Sequence, residues 1–370
     1  MASERFKRLG EGSFFGKMVY DRVIPPNHFL MVLNRVIPWQ RFSYKLVKYY
    51  RGGAKEGRPP YDPAVLLKML LVAFVHNLSE RQVEEVANLN LAVKCFLGLA
   101  ADELAPDHST LTAFKSRIIE NGRLEAFEKL LSEIVGFALE KGIRFGSIQV
   151  MDSVHTIADV NVEKDETRQR RGSQPHDPNA KWGVKGSRRK TDENGQKVQQ
   201  KEYFYGYKSH VSLNAEAGLI TSMVHTPGNA NDGQLLPKLL EKDLDQNLPF
   251  DTVAGDLAYD DSDNHELLES KGLHSAIRLH IYRTRKKDPN KAIWFQRQAD
   301  PHYQKGLEER YKIERKFGEA KKGHGLGRCR YVGIIRYAVQ GFLTAIALNL
   351  KRIVLLLTGV PFKGRARAMA

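Results

Sequence analysis

The spacing of apolar residues changes once along this chain, and that change divides what the chain can fold into. From residue 60 to about 139 the apolar positions recur with a helical period; beyond Gly142 they alternate or form short runs bounded by turn residues. In the first region Leu66, Leu67, Met69, Leu70, Val72, Ala73 and Phe74 cover most of a helix circumference, which predicts a buried helix. Ser79 followed by Gln82 has the spacing of a capping box and opens a second helix, with Val83, Val86 and Ala87 turned inward. Asp107 and Ser109 are both suited to cap a later helix, HSTLTAFKSRII, in which Lys115 and Arg117 follow the apolar positions. Short helices ending in a basic one fit a helix-turn-helix-like DNA-binding unit, and fit a plain helical packing domain equally well.

In the second region residues 147–154, SIQVMDSV, read as a strand. Residues 161–200 carry ten Lys/Arg against six Asp/Glu and few apolar side chains, the pattern of a loop or a segment ordered by a ligand. Tyr203, Tyr205, Tyr207, Ser209, Val211 and Leu213 then alternate as sheet-packing residues do, and a turn over 214–218 with a strand over 219–225 completes a hairpin. Asp232 is placed to cap the helix in GQLLPKLLEKDL. A short strand over 252–254 runs into Gly255-Asp256, followed by a helix over 263–271 and a strand over 275–279. After an irregular basic stretch the helical period returns from 306 to about 322, and a last long helix begins near 332. That order predicts an α/β fold, a mixed sheet flanked by helices and preceded by an all-α region. The expected domains are an arm over 1–58 with a short helix around 28–36, a helical domain over 59–145, and an α/β domain over 146–335. The last of these contains a basic insertion near 283–305, and a C-terminal helix and tail occupy 336–370.

Composition narrows the partners. Lys and Arg number 58 against 43 Asp and Glu, a net charge of +15, which points to a polyanion such as nucleic acid; a merely basic soluble protein is the other reading. From 283 to 330 there are fifteen Lys/Arg and six Asp/Glu, which favours a DNA-phosphate surface there. The two cysteines, Cys95 and Cys329, have no metal-ligand spacing and cannot form a disulfide framework, as expected in a reducing cytoplasm. The opening MASERFKRLGEGSFFGK has no continuous apolar stretch, so no secretory signal is expected. The most apolar stretch, 334–357, is interrupted by Arg336, Gln340, Asn349, Lys351 and Arg352, which predicts a buried helix with a basic edge and no membrane span.

Three carboxylates stand out. Asp152 lies inside a strand between Val150 and Val154, where a charge is costly unless paired or bound to a cation. Asp256 follows a short strand, at the end where open α/β sheets hold their ligands. Glu314 belongs to the helix GLEERYKIERKFGEAKK, on one stripe with Arg310 and Lys321, beside an apolar stripe of Ile313, Phe317 and Ala320. Taken singly, each aspartate is equally suited to a turn or cap, and Glu314 to an i,i+4 ion pair. Together they suit phosphodiester chemistry, in which two divalent ions roughly 3.5–4 Å apart activate the attacking oxygen and stabilise the leaving one. Mg²⁺ favours a few carboxylates completed by water and phosphate oxygens.

The segments VMDSVHTIADVN, VHTPGNANDGQLLPKLL and VAGDLAYDDSDNHELL, with Arg310-x3-Glu314-x6-Lys321 and the following GLGRCRYVG, resemble the DDE transposases of bacterial insertion sequences. Leu307 stands where that signature has a tyrosine, with Tyr303 and Tyr311 nearby. GRPPYDPAVLLKMLLVAFVHNLSERQVEE through APDHSTLTAFKSRI resembles the helical domain that precedes the core in one large subgroup, and the matching blocks cover most of residues 20–345. The resemblance implies an RNase H-like sheet and a catalytic set of Asp152, Asp256 and Glu314 binding two Mg²⁺, with Mn²⁺ as a substitute. It further implies that Arg310 and Lys321 position phosphates of the element's ends. Lys322, Arg328, Lys115 and Arg117 are the further expected DNA contacts, and Trp294 either stacks on an unpaired base or is structural. His225 and Asp232 match a motif near the active site, whereas His155 and His324 are expected to be structural or surface residues. The implied activity is binding of double-stranded DNA at terminal inverted repeats, hydrolysis at the ends, and joining of 3′ ends to target DNA. A homodimer or higher multimer in the cytoplasm, associated with the nucleoid, is the implied context. A stand-alone metal-dependent nuclease and a domesticated DNA-binding protein are the rivals, and the intact carboxylate set argues against the second.

Overall fold

The computed structural model describes residues 6, 7, 9, 10, 14–47, 59–122, 124–191, 197–280 and 296–363. It divides into two compact units, Met1–Ile143 with Leu343–Ala370, and Arg144–Phe342.

The first unit is helical: α1 (Phe14–Val23), α2 (Phe29–Val36), α3 (Trp39–Tyr44), α4 (Pro63–Val75), α5 (Glu80–Leu89), α6 (Leu91–Leu97), α7 (His108–Gly122) and α8 (Glu125–Glu140). Helix α4 is started by Asp62, whose side chain accepts from the Ala64 N–H, and by Pro63 in its first turn. It is buried along its length apart from Lys68, whose ammonium reaches the Phe96 carbonyl at 3.1 Å. Burial lowers the Lys68 pKa to about 8. The Ser79–Gln82 capping box forms at the start of α5, and Asp107 caps α7 by accepting from the Thr110 N–H at 2.7 Å. Residues 14–47, expected as an arm with one short helix, hold three helices; α2 packs on α6 and α3 on α4. Lys115, expected among the DNA contacts, is buried and its ammonium pairs with Glu80 of α5, so it stabilises the helical interior. Arg117, two residues on, is exposed.

The second unit contains β1 (Ile148–Ile157), α9 (Val162–Arg170), β2 (Lys181–Thr191), β3 (Lys197–Asn214), β4 (Leu219–Pro227), α10 (Leu236–Leu244), β5 (Thr252–Gly255), α11 (Ser262–Ser270), β6 (His274–Ile277), α12 (Pro301–Glu309) and α13 (Tyr311–His324). The last helix, α14 (Ile334–Thr358), begins in this unit and ends in the other. The sheet order is β2-β3-β1-β5-β6, with β4 also paired to β3. Strand β3 is long enough for β2 to pair with its first half and β4 with its second. β1, β5 and β6 are parallel, and β3 is antiparallel to β1, which makes the mixed sheet that the element order predicts, RNase H-like as the resemblance implies.

Both faces are covered. Met151, Val253 and Ile277 pack on Leu236, Leu239 and Leu240 of α10 and Leu268 of α11. On the other face Tyr337 of α14 stacks on Tyr207, with ring centroids 4.7 Å apart, and shares hydrogen bonds with Ser209 and Thr156. By length and composition α14 is able to cross a membrane, yet 67% of its apolar window is buried inside the protein. Residues 161–200, expected as a loop or a segment ordered by a ligand, contain α9, β2 and the start of β3. Helix α9 is highly charged but is capped by Asn161 on the Lys164 N–H, and β2 pairs along one edge only, so apolar alternation is not required of it. Trp294 and most of the expected 283–305 insertion lie outside the described residues.

Gly306 lets α12 approach the sheet closely: a Cβ there would stand 2.3 Å from the Ala276 Cβ and 3.5 Å from the Ala254 Cβ. Gly306→Ala is therefore expected to destabilise the protein by about 1–3 kcal/mol. Urea denaturation measures this, and a variant as stable as the wild type would contradict the close approach.

Candidate active site

The parallel register of β1 with β5 brings two aspartates side by side. Val150 pairs with Ala254. Two residues further along each chain, on the same face, stand Asp152 and Asp256, at the carboxyl end of β5. Asp256 caps the turn Leu257–Tyr259, its Oδ1 accepting from the Ala258 N–H at 2.9 Å. Asp152 Oδ1 accepts from the Ser153 N–H at 2.7 Å. Both residues are half-buried. Burial first, then the negative charge of Asp256, pushes the Asp152 carboxyl up to about 7, while Arg310 opposes the rise.

Arg310 stands at the junction of α12 and α13, near enough to Asp152 to act on its charge, and its Nε is buried with no hydrogen-bond partner among the described residues. Glu314 lies one turn further on and is exposed. Lys321, two turns beyond Glu314 on the same stripe, brings its Nζ to 3.2 Å from His155 Nε2 on β1. Burial, and then Lys185, lower the Lys321 pKa. Lys322 and Arg328 are exposed, the latter donating through Nε to Asp159 at 2.9 Å. The arrangement thus gathers Asp152, Asp256 and Arg310. Asp152, Asp256 and Glu314 do not form a group with ligand atoms all within 4.8 Å of one another; among the described residues that geometry is met by His274, Asp300 and His302.

Asp232, expected to cap a helix, makes no capping bond. Its own backbone is already helical, whereas a cap residue is extended. Instead Oδ1 accepts from Lys208 Nζ at 2.8 Å and Oδ2 from Ser153 Oγ at 2.9 Å, which sets a third carboxylate beside Asp152. Tyr259 is fully buried, and its hydroxyl has no partner among the described residues. Burial, with the charges of Asp152, Asp232 and Asp256, holds its pKa well above the usual tyrosine value. His225 faces α14, its Nε2 3.2 Å from the Ala338 carbonyl and its ring stacked on Phe342. His155, expected to be a structural or surface residue, has Lys321, Lys185 and Lys208 around it; burial first and then these ammonium groups press its pKa down to about 4. This lysine group draws on α13, β2 and β3. No spacing in the sequence marks it, and Lys185 lies in the segment read as a loop.

The donor set fits a hard divalent cation at the aspartates. Two carboxylates lie together, each with one oxygen engaged by a backbone N–H, and burial followed by the charge of Asp256 raises the Asp152 pKa. Glu314 has the right chemistry and projects from the helix that Arg310 begins.

Two family models match the chain. One, described as a transposase domain (DUF772), covers residues 18–117; the other, described as a transposase DDE domain, covers residues 165–350, about half of the chain. The second span includes Asp256, Arg310, Glu314 and Lys321 and begins after Asp152.

The Asp152 shift has a definite sign for stability. Unfolded, the carboxyl titrates near about 3.9; folded, it holds its proton to about 7. Stability from this group is fully present below pH ~4 and is lost as pH rises through ~7. Without divalent ions, Asp152→Asn is expected to be more stable than the wild type by about 2 kcal/mol at pH 8, with the gap closing at pH 4. Added Mg²⁺ should stabilise the wild type alone. Denaturant unfolding at both pH values tests this, and an unchanged gap would overturn the assignment.

Proposed function

The chain belongs to the family of transposases with a DDE domain, and on that premise we propose that it binds the terminal inverted repeats of an insertion sequence, cleaves DNA at the element's ends by metal-dependent hydrolysis, and joins the 3′ ends to target DNA. The observation that carries this reading is the Asp152–Asp256 pair at the end of the parallel strands, with Arg310 beside it.

Asp152 and Asp256, with Glu314 from α13, are the carboxylates that would hold two Mg²⁺, or Mn²⁺ in their place. Ions held there would supply activation of the attacking water and stabilisation of the leaving oxygen. Arg310 offers its guanidinium to a non-bridging phosphate oxygen, a charge-assisted contact suited to holding the scissile group in line. Lys321, with Lys185 and Lys208 around His155, receives the neighbouring phosphates; neutral His155 accepts from the Lys321 ammonium and fixes its position. Lys322, Arg328 and Arg117 are exposed and suit backbone contacts that are independent of sequence. Trp294 is retained as a residue that stacks on an unpaired base. Attack by water and then by the freed 3′-hydroxyl requires no nucleophilic side chain, so no covalent protein–DNA intermediate forms. Processing two distant ends together calls for at least a homodimer, working at the nucleoid in the cytoplasm.

The test uses the purified chain with labelled DNA from the gene's own flanks, with and without Mg²⁺ or Mn²⁺. The wild type is expected to nick at the element boundary only with metal. Asp256→Ala and Glu314→Gln should each bind DNA normally and lose about a hundredfold or more in cleavage. Cleavage that survives both substitutions would sink the site, cutting without preference for the ends would favour a stand-alone nuclease, and binding without cleavage would favour a DNA-binding protein.

A further inference from the structure

At the opposite ends of β5 and β6 from the aspartate pair lies a second cluster of ligand-bearing side chains. His274 is the first residue of β6, Asp300 caps α12, and His302 is the second residue of that helix. The two imidazoles are stacked face to face, with centroids 3.8 Å apart and planes 3° from parallel. Asp300 Oδ2 is 2.8 Å from His274 Nδ1, while Oδ1 accepts from the His302 backbone N–H at 2.8 Å. Thr252 Oγ1, from the first residue of β5, lies 3.2 Å from His302 Nδ1, and Asp251 Oδ1 lies 3.8 Å from the same nitrogen.

Capping of α12 explains Asp300 alone. It does not explain two imidazoles held in contact from separate elements, an arrangement that is unfavourable when both are protonated, because like charges then lie against each other. One nitrogen from each histidine and one oxygen from Asp300 lie within 4.8 Å of one another. All three side chains are partly exposed, which leaves a path for an ion and room for the imidazoles to turn out of their stack, so that their in-plane nitrogen lone pairs meet at metal–ligand bonds of about 2.0–2.2 Å.

We propose that His274, Asp300 and His302 form a binding site for a transition-metal ion of the Zn²⁺ class, separate from the Asp152–Asp256 pair. Two imidazoles and one carboxylate select a borderline ion over Mg²⁺, which prefers oxygen. Three protein ligands leave a position for water or for Asp251. Thr252 and Asp251 are the outer partners that orient the His302 ring. The ion ties the start of β6 to the start of α12, whose last residue directly precedes Arg310. The site thereby braces the helix pair that carries Arg310 and Glu314.

The experiment titrates the full, untagged, EDTA-treated chain with Co²⁺, reading the visible ligand-field bands, and then displaces Co²⁺ with Zn²⁺. The wild type is expected to take up one Co²⁺ per chain and to exchange it for Zn²⁺. His302→Ala should abolish the bands, and His274→Gln should weaken uptake by about 10–100-fold. The double variant Asp152→Asn/Asp256→Asn should bind Co²⁺ as the wild type does, which separates this site from the proposed catalytic one. Circular dichroism checks folding, and if His302→Ala does not fold then His274→Gln, altered at a partly exposed strand start, decides. Absence of stoichiometric uptake by the folded wild type, uptake unchanged in the histidine variants, or uptake lost only in the aspartate double variant would each overturn the proposal.

Discussion

The parallel pairing of β1 with β5 is the constraint on which the rest of the site depends. It is short, running from Ile148 with Thr252 to Val150 with Ala254, yet it decides which carboxylates meet. A slip of one residue would carry Asp152 or Asp256 to the α10–α11 face, towards an apolar core of leucines, and would separate the pair. Burial of Val150, Met151, Val253 and Ala254 therefore specifies where the polar side chains that follow them stand. The apolar core fixes the register, and the register places the charge pair.

The helices on the opposite face follow from the same sheet. Gly306 presses α12 onto Ala254 and Ala276, so the chain leaves α12 at Arg310 with its guanidinium acting on Asp152. Asp232 arrives from the other side of β1 through Ser153 and Lys208. Each contact is ordinary in strength. Their value lies in convergence, since strands and helices hold these groups more firmly than loops would.

What could be read from the sequence follows the physics of each residue type. Strand and helix periods located β1, the β3–β4 hairpin, β5 and α4, because burial on a pleated or helical surface imposes those periods. The capping box at Ser79 and Gln82 was equally plain. Helix α9 and strand β2 were hidden, one charged throughout and the other paired along a single edge, so neither needs an apolar pattern. Lys115 misled because a lysine in a basic helix looks solvated, whereas its stem is buried and its charge meets Glu80 from another helix. Asp232 misled because cap propensity is local, while its partners Ser153 and Lys208 are 79 and 24 residues away.

Glu314 shows the limit of the chain's own electrostatics. The charges of Asp256 and Asp232 both act on Asp152, with Arg310 and Lys208 as the nearby cations. A fourth carboxylate drawn into that group would add repulsion that these two cations do not offset, and would lose hydration as well. On the first turn of α13 the same carboxylate stands exposed to water, near the helix N-terminus. Strand-borne aspartates and a helix-borne glutamate thus differ in setting: the sheet register fixes the former, whereas the latter stands exposed on α13. A site that must admit a polyanionic substrate benefits from that division, because the carboxylate that the sheet does not fix is the one nearest solvent.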